Sequence, residues 1–244
     1  MGKSKLLKRM AIALSVLCVC AIAATATVVA YLGQRGAHPS PFPSREGEAP
    51  CGEFPEIDWI YWQQINPRVI GWITIPGTRV NNPIVQASID DPSFYLFHDI
   101  YDDANFTGCP FLDAGCIEEG GLLRCPNSVV YGHNMGWSQD MFGDLEFYAD
   151  RQFAEEHKDI LLQTPEVRLR LKVQAATVIP GESARKRIDF LDDADFDSWW
   201  KDQFSKANIQ LAPSAQLDRN LLTLCTCSYS HWNDERTLIY CMSA

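Results

Sequence analysis

Twenty-three consecutive residues, from Met10 to Leu32, carry no charge. At ~1.5 Å per helical residue such a run is long enough to cross the ~30 Å hydrocarbon core of a bilayer. Lys3, Lys5, Lys8 and Arg9 stand just before it, and no acid occurs before Glu46. A basic flank of this kind keeps a short N-terminus in the cytoplasm and predicts export of everything beyond Leu32. A cleaved signal peptide cut near Ala24-Thr25-Ala26 is the competing reading, but the apolar core of such peptides is usually only ~7–15 residues. Length therefore favours an uncleaved anchor. Pro39, Pro41, Pro43 and Pro50, with Gly and Ser between them, make the next stretch a semi-extended spacer. The chain divides into a cytoplasmic N-terminus (1–9), a transmembrane anchor (10–32), a spacer (33–50) and one exported domain (51–244).

Charge narrows what that domain can bind. The whole chain has 21 Lys and Arg against 31 Asp and Glu. Five of the basic residues (Lys3, Lys5, Lys8, Arg9 and Arg35) precede residue 36, which leaves 16 basic and 31 acidic residues beyond it, a net charge of −15. Nucleic acid and anionic lipid surfaces both reward clustered Lys and Arg, so neither fits as a partner.

The exported part reads mostly as strand. GWITIPG (71–77), NPIVQ (82–86), PFLD (110–113), SVVYGH (128–133), ILLQT (160–164), VRLRLKVQAATVI (167–179), NLLTLCTCSY (220–229) and RTLIYCMSA (236–244) are short β-rich runs. Turn signals such as Pro76-Gly77 and Pro180-Gly181 punctuate them. VRLRLKVQ alternates apolar and basic residues, the pattern of a strand with one wet face. Helical patterns occur at 58–64, ended by Asn66-Pro67, within 138–157 as one or two helices, and at 195–207. Asp192, Asp193, Asp195 and Asp197 lack the Gly turn and terminal Glu of a calcium loop and stand where acids favour a helix N-terminus. Many short strands with few helices predict a closed barrel or a sandwich.

Seven cysteines lie in the exported part: Cys51, Cys109, Cys116, Cys125, Cys225, Cys227 and Cys241. An odd number leaves at least one thiol unpaired, and the other six allow up to three disulfides in ~15 connectivities. Cys225 and Cys227 stand two apart in a strand run. Their Cα atoms are therefore ~6.6 Å apart on one face, too far for the ~3.8 Å between Cβ atoms that a disulfide needs. Zinc pairs come as C-x₂₋₄-C, a spacing absent from this chain. The pair are thus core residues, or one is a nucleophile at a strand end. A nucleophilic thiol needs an imidazole to take up its proton. His133 follows the apolar strand SVVYG, where a strand-end histidine can face a cleft and act as acid or base. Arg236 opens the strand after the one carrying Cys227. If those strands pair as a hairpin, its guanidinium reaches the cysteine end of its neighbour.

TLCTC (223–227) followed by Arg236, with VVYGHNM (129–135), MFGDL (141–145) and INPRVIGWITIPGTRVNNPIVQ (65–86), resembles a class B sortase. The resemblance covers roughly residues 55–242. It implies an eight-stranded β-barrel with N-terminal helices and a long helix inserted before the penultimate strand. It implies an enzyme on the outer face of a Gram-positive membrane that cuts a sorting signal near the C-terminus of a secreted protein. The product is then joined to an amine, usually on a peptidoglycan cross-bridge. Cys227 would be the nucleophile, His133 the general acid/base and Arg236 the stabiliser of substrate and oxyanion, with no metal or organic cofactor. Asn81, Val85, Cys225, Thr226 and Ser228 would contribute to substrate binding, Thr226 through its backbone N–H.

Two residues depart from the family pattern. Cys225 stands where relatives commonly have Ser, and Ser228 where many have an acid. A carboxylate orienting His133 would then come from elsewhere, with Asp234 or Glu235 as candidates, and Cys225 could pair with Cys241. Competing functions are a pilin polymerase with a lysine acceptor, an inactive membrane-tethered binding barrel, and a conventional cysteine protease.

Overall fold

The computed structural model describes residues 53–136, 141–184, 186–212, 220–229 and 234–243. The apolar run 10–32, the spacer, Cys51 and His231 lie outside the described residues. Among the described residues, no helix is long and apolar enough to cross a membrane.

Among the described residues, nine strands form one sheet. In chain order they are β1 (Val69–Thr74), β2 (Asn81–Gln86), β3 (Phe111–Leu112), β4 (Asn127–Tyr131), β5 (Asp159–Gln163), β6 (Arg168–Pro180), β7 (Ile209–Gln210), β8 (Leu221–Ser228) and β9 (Glu235–Ser243). Neighbours run β5-β1-β2-β3-β4-β8-β9-β6, and β6 pairs back onto β5, closing an eight-stranded barrel. The eight β-rich runs read from the sequence are those eight. The ninth, β7, is two residues laid against the middle of β6 outside the ring, too short for a period to show.

Side-chain direction follows from the pleat. Ile73, Ile84, Val130, Leu222, Leu224 and Ile239 point into the barrel and join its core. Residues one position away point outward, and those of β4, β8 and β9 face the functional side. In β6 the alternation places Leu171 and Val173 inside while Arg168 and Arg170 stay exposed.

Among the described residues, three α-helices flank the barrel: α1 (Trp59–Ile65), α2 (Arg151–Glu156) and α3 (Asp193–Lys206). Asp58 caps α1 by accepting from Tyr61 N at 3.0 Å, and the extended Asn66 ends it. The helical reading of 138–157 resolves into a 3-10 turn, Gly143–Ala149, and α2. The break is Asp150, whose extended backbone and side-chain bond to Phe153 N start a new helix. At α3, the Asp192 carboxylate accepts from Asp195 N at 2.9 Å, so the acid cluster caps a helix as its position implied.

α3 packs Phe196 and Trp200 against Ala175, Tyr240 and Met242 on the outer wall. Trp200 meets the Tyr240 ring edge-on, with centroids 5.3 Å apart. Replacing Trp200 by Ala removes the largest anchor of α3 and is expected to cost about 3–5 kcal/mol. A lower midpoint in urea denaturation would report that loss, and an unchanged midpoint would show that α3 docks without it.

Candidate active site at the ends of β4, β8 and β9

β8 and β9 form an antiparallel pair in which Cys227 lies opposite Arg236. On the other side of β8, β4 runs parallel, with Tyr131 beside Cys225. Continuing that register by two residues brings His133 level with Cys227. The three residue types are therefore gathered by strand pairing at one end of the barrel. Gly132 makes the approach possible, because a Cβ there would sit 2.6 Å from the Phe142 ring. Its N–H bonds Cys225 O at 3.1 Å, and its carbonyl accepts from Thr226 Oγ1 at 2.8 Å, tying the end of β4 to β8.

His133 Nε2 lies 2.8 Å from Leu96 O. A carbonyl only accepts, so this contact assigns the proton to Nε2 and leaves Nδ1 as the basic nitrogen of the neutral ring. A backbone carbonyl thus does what Asp234 or Glu235 was expected to do. Asp234 instead accepts from Arg236 Nη1 at 3.0 Å, and Glu235 is buried and accepts from Ser228 Oγ at 3.4 Å. The segment after His133 is held by three further bonds. His133 O accepts from Phe142 N, Asn134 Nδ2 donates to Glu146, and Tyr229 OH donates to Asn134 O. Arg236 Nη1 also donates to Glu235 O at 2.8 Å, so the guanidinium is fixed at two points beside the cysteine end of β8.

The two cysteines have different surroundings although both face outward. Cys227 is half-buried, whereas Cys225 is 6% exposed. Burial pushes the Cys225 thiol up to about 12, against a pull down from Arg236. The folded state therefore keeps a proton that the unfolded chain releases near pH 9. That contribution to stability is complete below pH 9 and lost as pH rises towards 12. Melting temperature is expected to fall over that range, and Cys225→Ser to flatten the fall. At pH 8, iodoacetamide is expected to label Cys227 and spare Cys225. Labelling confined to Cys225, read by peptide mass, would reverse the distinction.

Beside Cys225 the outer wall opens into a narrow cleft with about 30 Å³ of accessible space. Asn127, Tyr131, Cys225, Leu238 and Tyr240 form its floor, and Lys186, Trp199 and Gln203 cover it. The cover is pinned to the wall. Lys186 Nζ pairs with both Asp113 oxygens at 2.7 Å, and Asn127 Nδ2 donates to Arg187 O at 2.8 Å. Arg187 in turn pairs with Asp195 of α3 and lies over the Phe190 ring.

No family model matches the chain. The sortase B of Staphylococcus aureus is 27% identical over 177 residues, covering 72% of this chain and 70% of that protein. The sortase B of Listeria monocytogenes is 34% identical over 95 residues, covering 39% and 36%. The Clostridium perfringens sortase B structure superposes with a TM-score of 0.66 at 26% identity, over 75% of this chain and 97% of that one. The chain is a class B sortase. It is thus a cysteine transpeptidase built on the sortase barrel.

In this sortase the residues singled out from sequence separate into two sets. Cys227, His133, Arg236 and Cys225 gather at one end of β4, β8 and β9. Thr226 and Ser228 turn into the barrel, buried with their hydroxyls bonded to Gly132 O and Glu235, so only their backbones face the site. Asn81 and Val85 do not line the cleft. Asn81 Oδ1 accepts from Trp72 Nε1 and Thr74 Oγ1, and Val85 is buried against Tyr95 and Phe111. Pairing of Cys225 with Cys241 is excluded by the pleat. Cys225 faces out opposite Leu238, whereas Cys241 faces the core opposite Leu222. All six described cysteines carry free thiols. The Leu96 carbonyl was missed because backbone acceptors have no sequence signature; Gly108, where a Cβ would crowd that carbonyl, is the one side-chain trace of the contact.

Proposed function

We propose that this sortase cleaves a sorting signal near the C-terminus of secreted proteins through a thioester on Cys227 and transfers the product to an amine of a peptidoglycan cross-bridge. Residues 10–32 anchor it in the cell membrane, with residues 51–244 outside. The observation carrying the chemistry is the register that sets Cys227 opposite Arg236 while His133 ends the parallel neighbour strand.

The signal peptide lies along the cleft beside Cys225, placing its scissile carbonyl at Cys227. The Cys227 thiolate attacks that carbon, a C–S bond forms, and the developing oxyanion is met by the Arg236 guanidinium. As the C–N bond breaks, imidazolium His133 gives its Nδ1 proton to the departing amine. The acceptor amine then attacks the thioester, His133 takes its proton, and the C–S bond breaks to restore the thiolate. Support for this pair of substrates comes from the Staphylococcus aureus sortase B solved as a substrate complex, and from a sortase B structure complexed with triglycine.

The test is incubation of the full chain with fluorogenic peptides carrying candidate sorting signals, with and without triglycine. A peptide–triglycine product and an acyl-enzyme mass on Cys227 are expected. Hydrolysis unchanged by triglycine would identify a protease, and transfer only to a lysine side chain would identify a polymerase of protein subunits. Arg236→Ala is expected to lower kcat about 10²–10³-fold, the usual cost of one oxyanion donor. Arg236→Lys keeps the charge without the two-point fixation, so it should recover part of that loss. Equal activity in all three forms would remove Arg236 from the mechanism.

A further inference from the structure

Two of the buried thiols lie together away from the active site. Cys116 belongs to the 3-10 turn Ala114–Ile117 after β3, and Cys125 stands two residues before β4. Both are fully buried. Their sulfurs converge on one backbone oxygen, with Cys116 Sγ 3.8 Å and Cys125 Sγ 3.3 Å from Asn127 O. The interaction between the two thiols holds the Cys116 thiol below its ordinary value and pushes the Cys125 thiol up. The other described cysteines are elsewhere: Cys109 packs with Tyr95 and Phe111, Cys225 and Cys227 face outward on β8, and Cys241 lies opposite Leu222.

The backbone between the two already closes on itself. Gly121 N donates to Cys116 O at 2.7 Å, and Cys125 N donates to Gly121 O at 3.0 Å. Gly120 and Gly121 adopt φ of +95° and +91°, which only glycine takes without strain. The ends of the loop are thus held together without a covalent link. Around this loop run the bonds that fix the cleft cover. Cys125 Sγ lies 3.5 Å from Ile188 O, Asn127 holds Arg187 O, and Asp113, just before the turn, holds Lys186.

We propose that Cys116 and Cys125 form a disulfide, by exchange with a small-molecule disulfide, that clasps the 116–125 loop under the 186–188 cover of the substrate cleft. The Cys116 thiolate attacks one sulfur of the small disulfide, giving a mixed disulfide and releasing one thiolate. With the loop open, Cys125 meets water and loses its proton, and its thiolate displaces the second. The protein loses two electrons and two protons, and the small disulfide becomes two thiols. Opening of the exposed turn around Glu118 and Glu119 admits the reagent. The clasp rests on this loop geometry and not on the assignment of the active site.

The full chain equilibrated in glutathione buffers of graded redox ratio, alkylated and digested without reduction, tests it. A cross-linked peptide pair through Cys116 and Cys125 is expected in oxidising buffer, disappearing with dithiothreitol. Both residues alkylated as free thiols at the most oxidising ratio, or Cys125 bonded to another cysteine, would overturn it. Closing a loop of this length is expected to raise the melting temperature by roughly 5–10 °C. Cys116→Ala/Cys125→Ala should lose that redox dependence. A cross-linked wild type that melts as the reduced form does would remove the clasp, and the wild-type mass measurement stands even if the variant does not fold.

Discussion

Replacing Cys227 with alanine is expected to lower acyl transfer by roughly 10⁴-fold or more, with no acyl-enzyme detectable by mass, whereas Cys225→Ala retains turnover. The expectation follows from position and exposure. Both side chains face outward from β8, but Cys227 is half-buried and paired in register with Arg236, while Cys225 is closed in beneath the cleft cover with its thiol held protonated. A protonated, enclosed thiol cannot serve as the attacking thiolate near neutral pH. Loss of a covalent nucleophile removes the route through the thioester rather than weakening one contact, which is why the effect is large. Cys225→Ala should alter KM more than kcat, because Cys225 forms part of the floor on which the substrate would lie. Full activity in Cys227→Ala together with loss in Cys225→Ala would exchange the two roles.

Removing the imidazole is the second large effect. His133→Ala is expected to cost about 10²–10⁴-fold in kcat, the usual range for a positioned acid/base. The structure adds a way to disturb the ring without deleting it. Gly108 has φ +60°, and a methyl group there would sit 2.3 Å from Tyr95 O, 3.1 Å from Leu96 O and 3.2 Å from His133 Cδ2. Gly108→Ala must therefore displace the carbonyl that accepts the Nε2–H bond, and with it the direction of Nδ1. Loss of kcat by about tenfold or more is expected, with KM little changed and the pH–rate profile shifted. An unchanged profile in Gly108→Ala would show that the Leu96 carbonyl does not position the ring, whatever the outcome for His133→Ala.

Most of the barrel was legible because its strands carry their own signal. VRLRLKVQ alternates along β6, and the β8 run places Leu222 and Leu224 inside with Thr223 and Cys225 outside, so period two shows the faces directly. The two-residue β7 has no period to read. Whether 138–157 held one helix or two was left open by the sequence, since helical propensity continues across Asp150 and only its cap marks the break. Asn81 and Val85 were carried across from a resemblance, and the structure sets both outside the lining of the cleft. Both face outward, yet Asn81 is taken up by Trp72 and Thr74, and Val85 is sealed beneath Tyr95.

The local chemistry was written in the chain by itself: a thiol at a strand end, an imidazole after an apolar strand, an arginine opening the last strand. Order along the chain also made the β8–β9 hairpin expected, since these strands are neighbours in sequence, and so put Arg236 within reach of Cys227. What the tertiary structure decided was everything that depends on non-local pairing. The parallel β4–β8 register levels His133 with Cys227 across more than ninety residues of chain. A backbone carbonyl from the 94–96 turn sets the tautomer, and α3 with the 186–188 segment makes a cleft of an otherwise open wall. Such contacts form between groups whose separation in sequence says nothing about their distance. They exist only once the buried faces of eight strands have closed on one core.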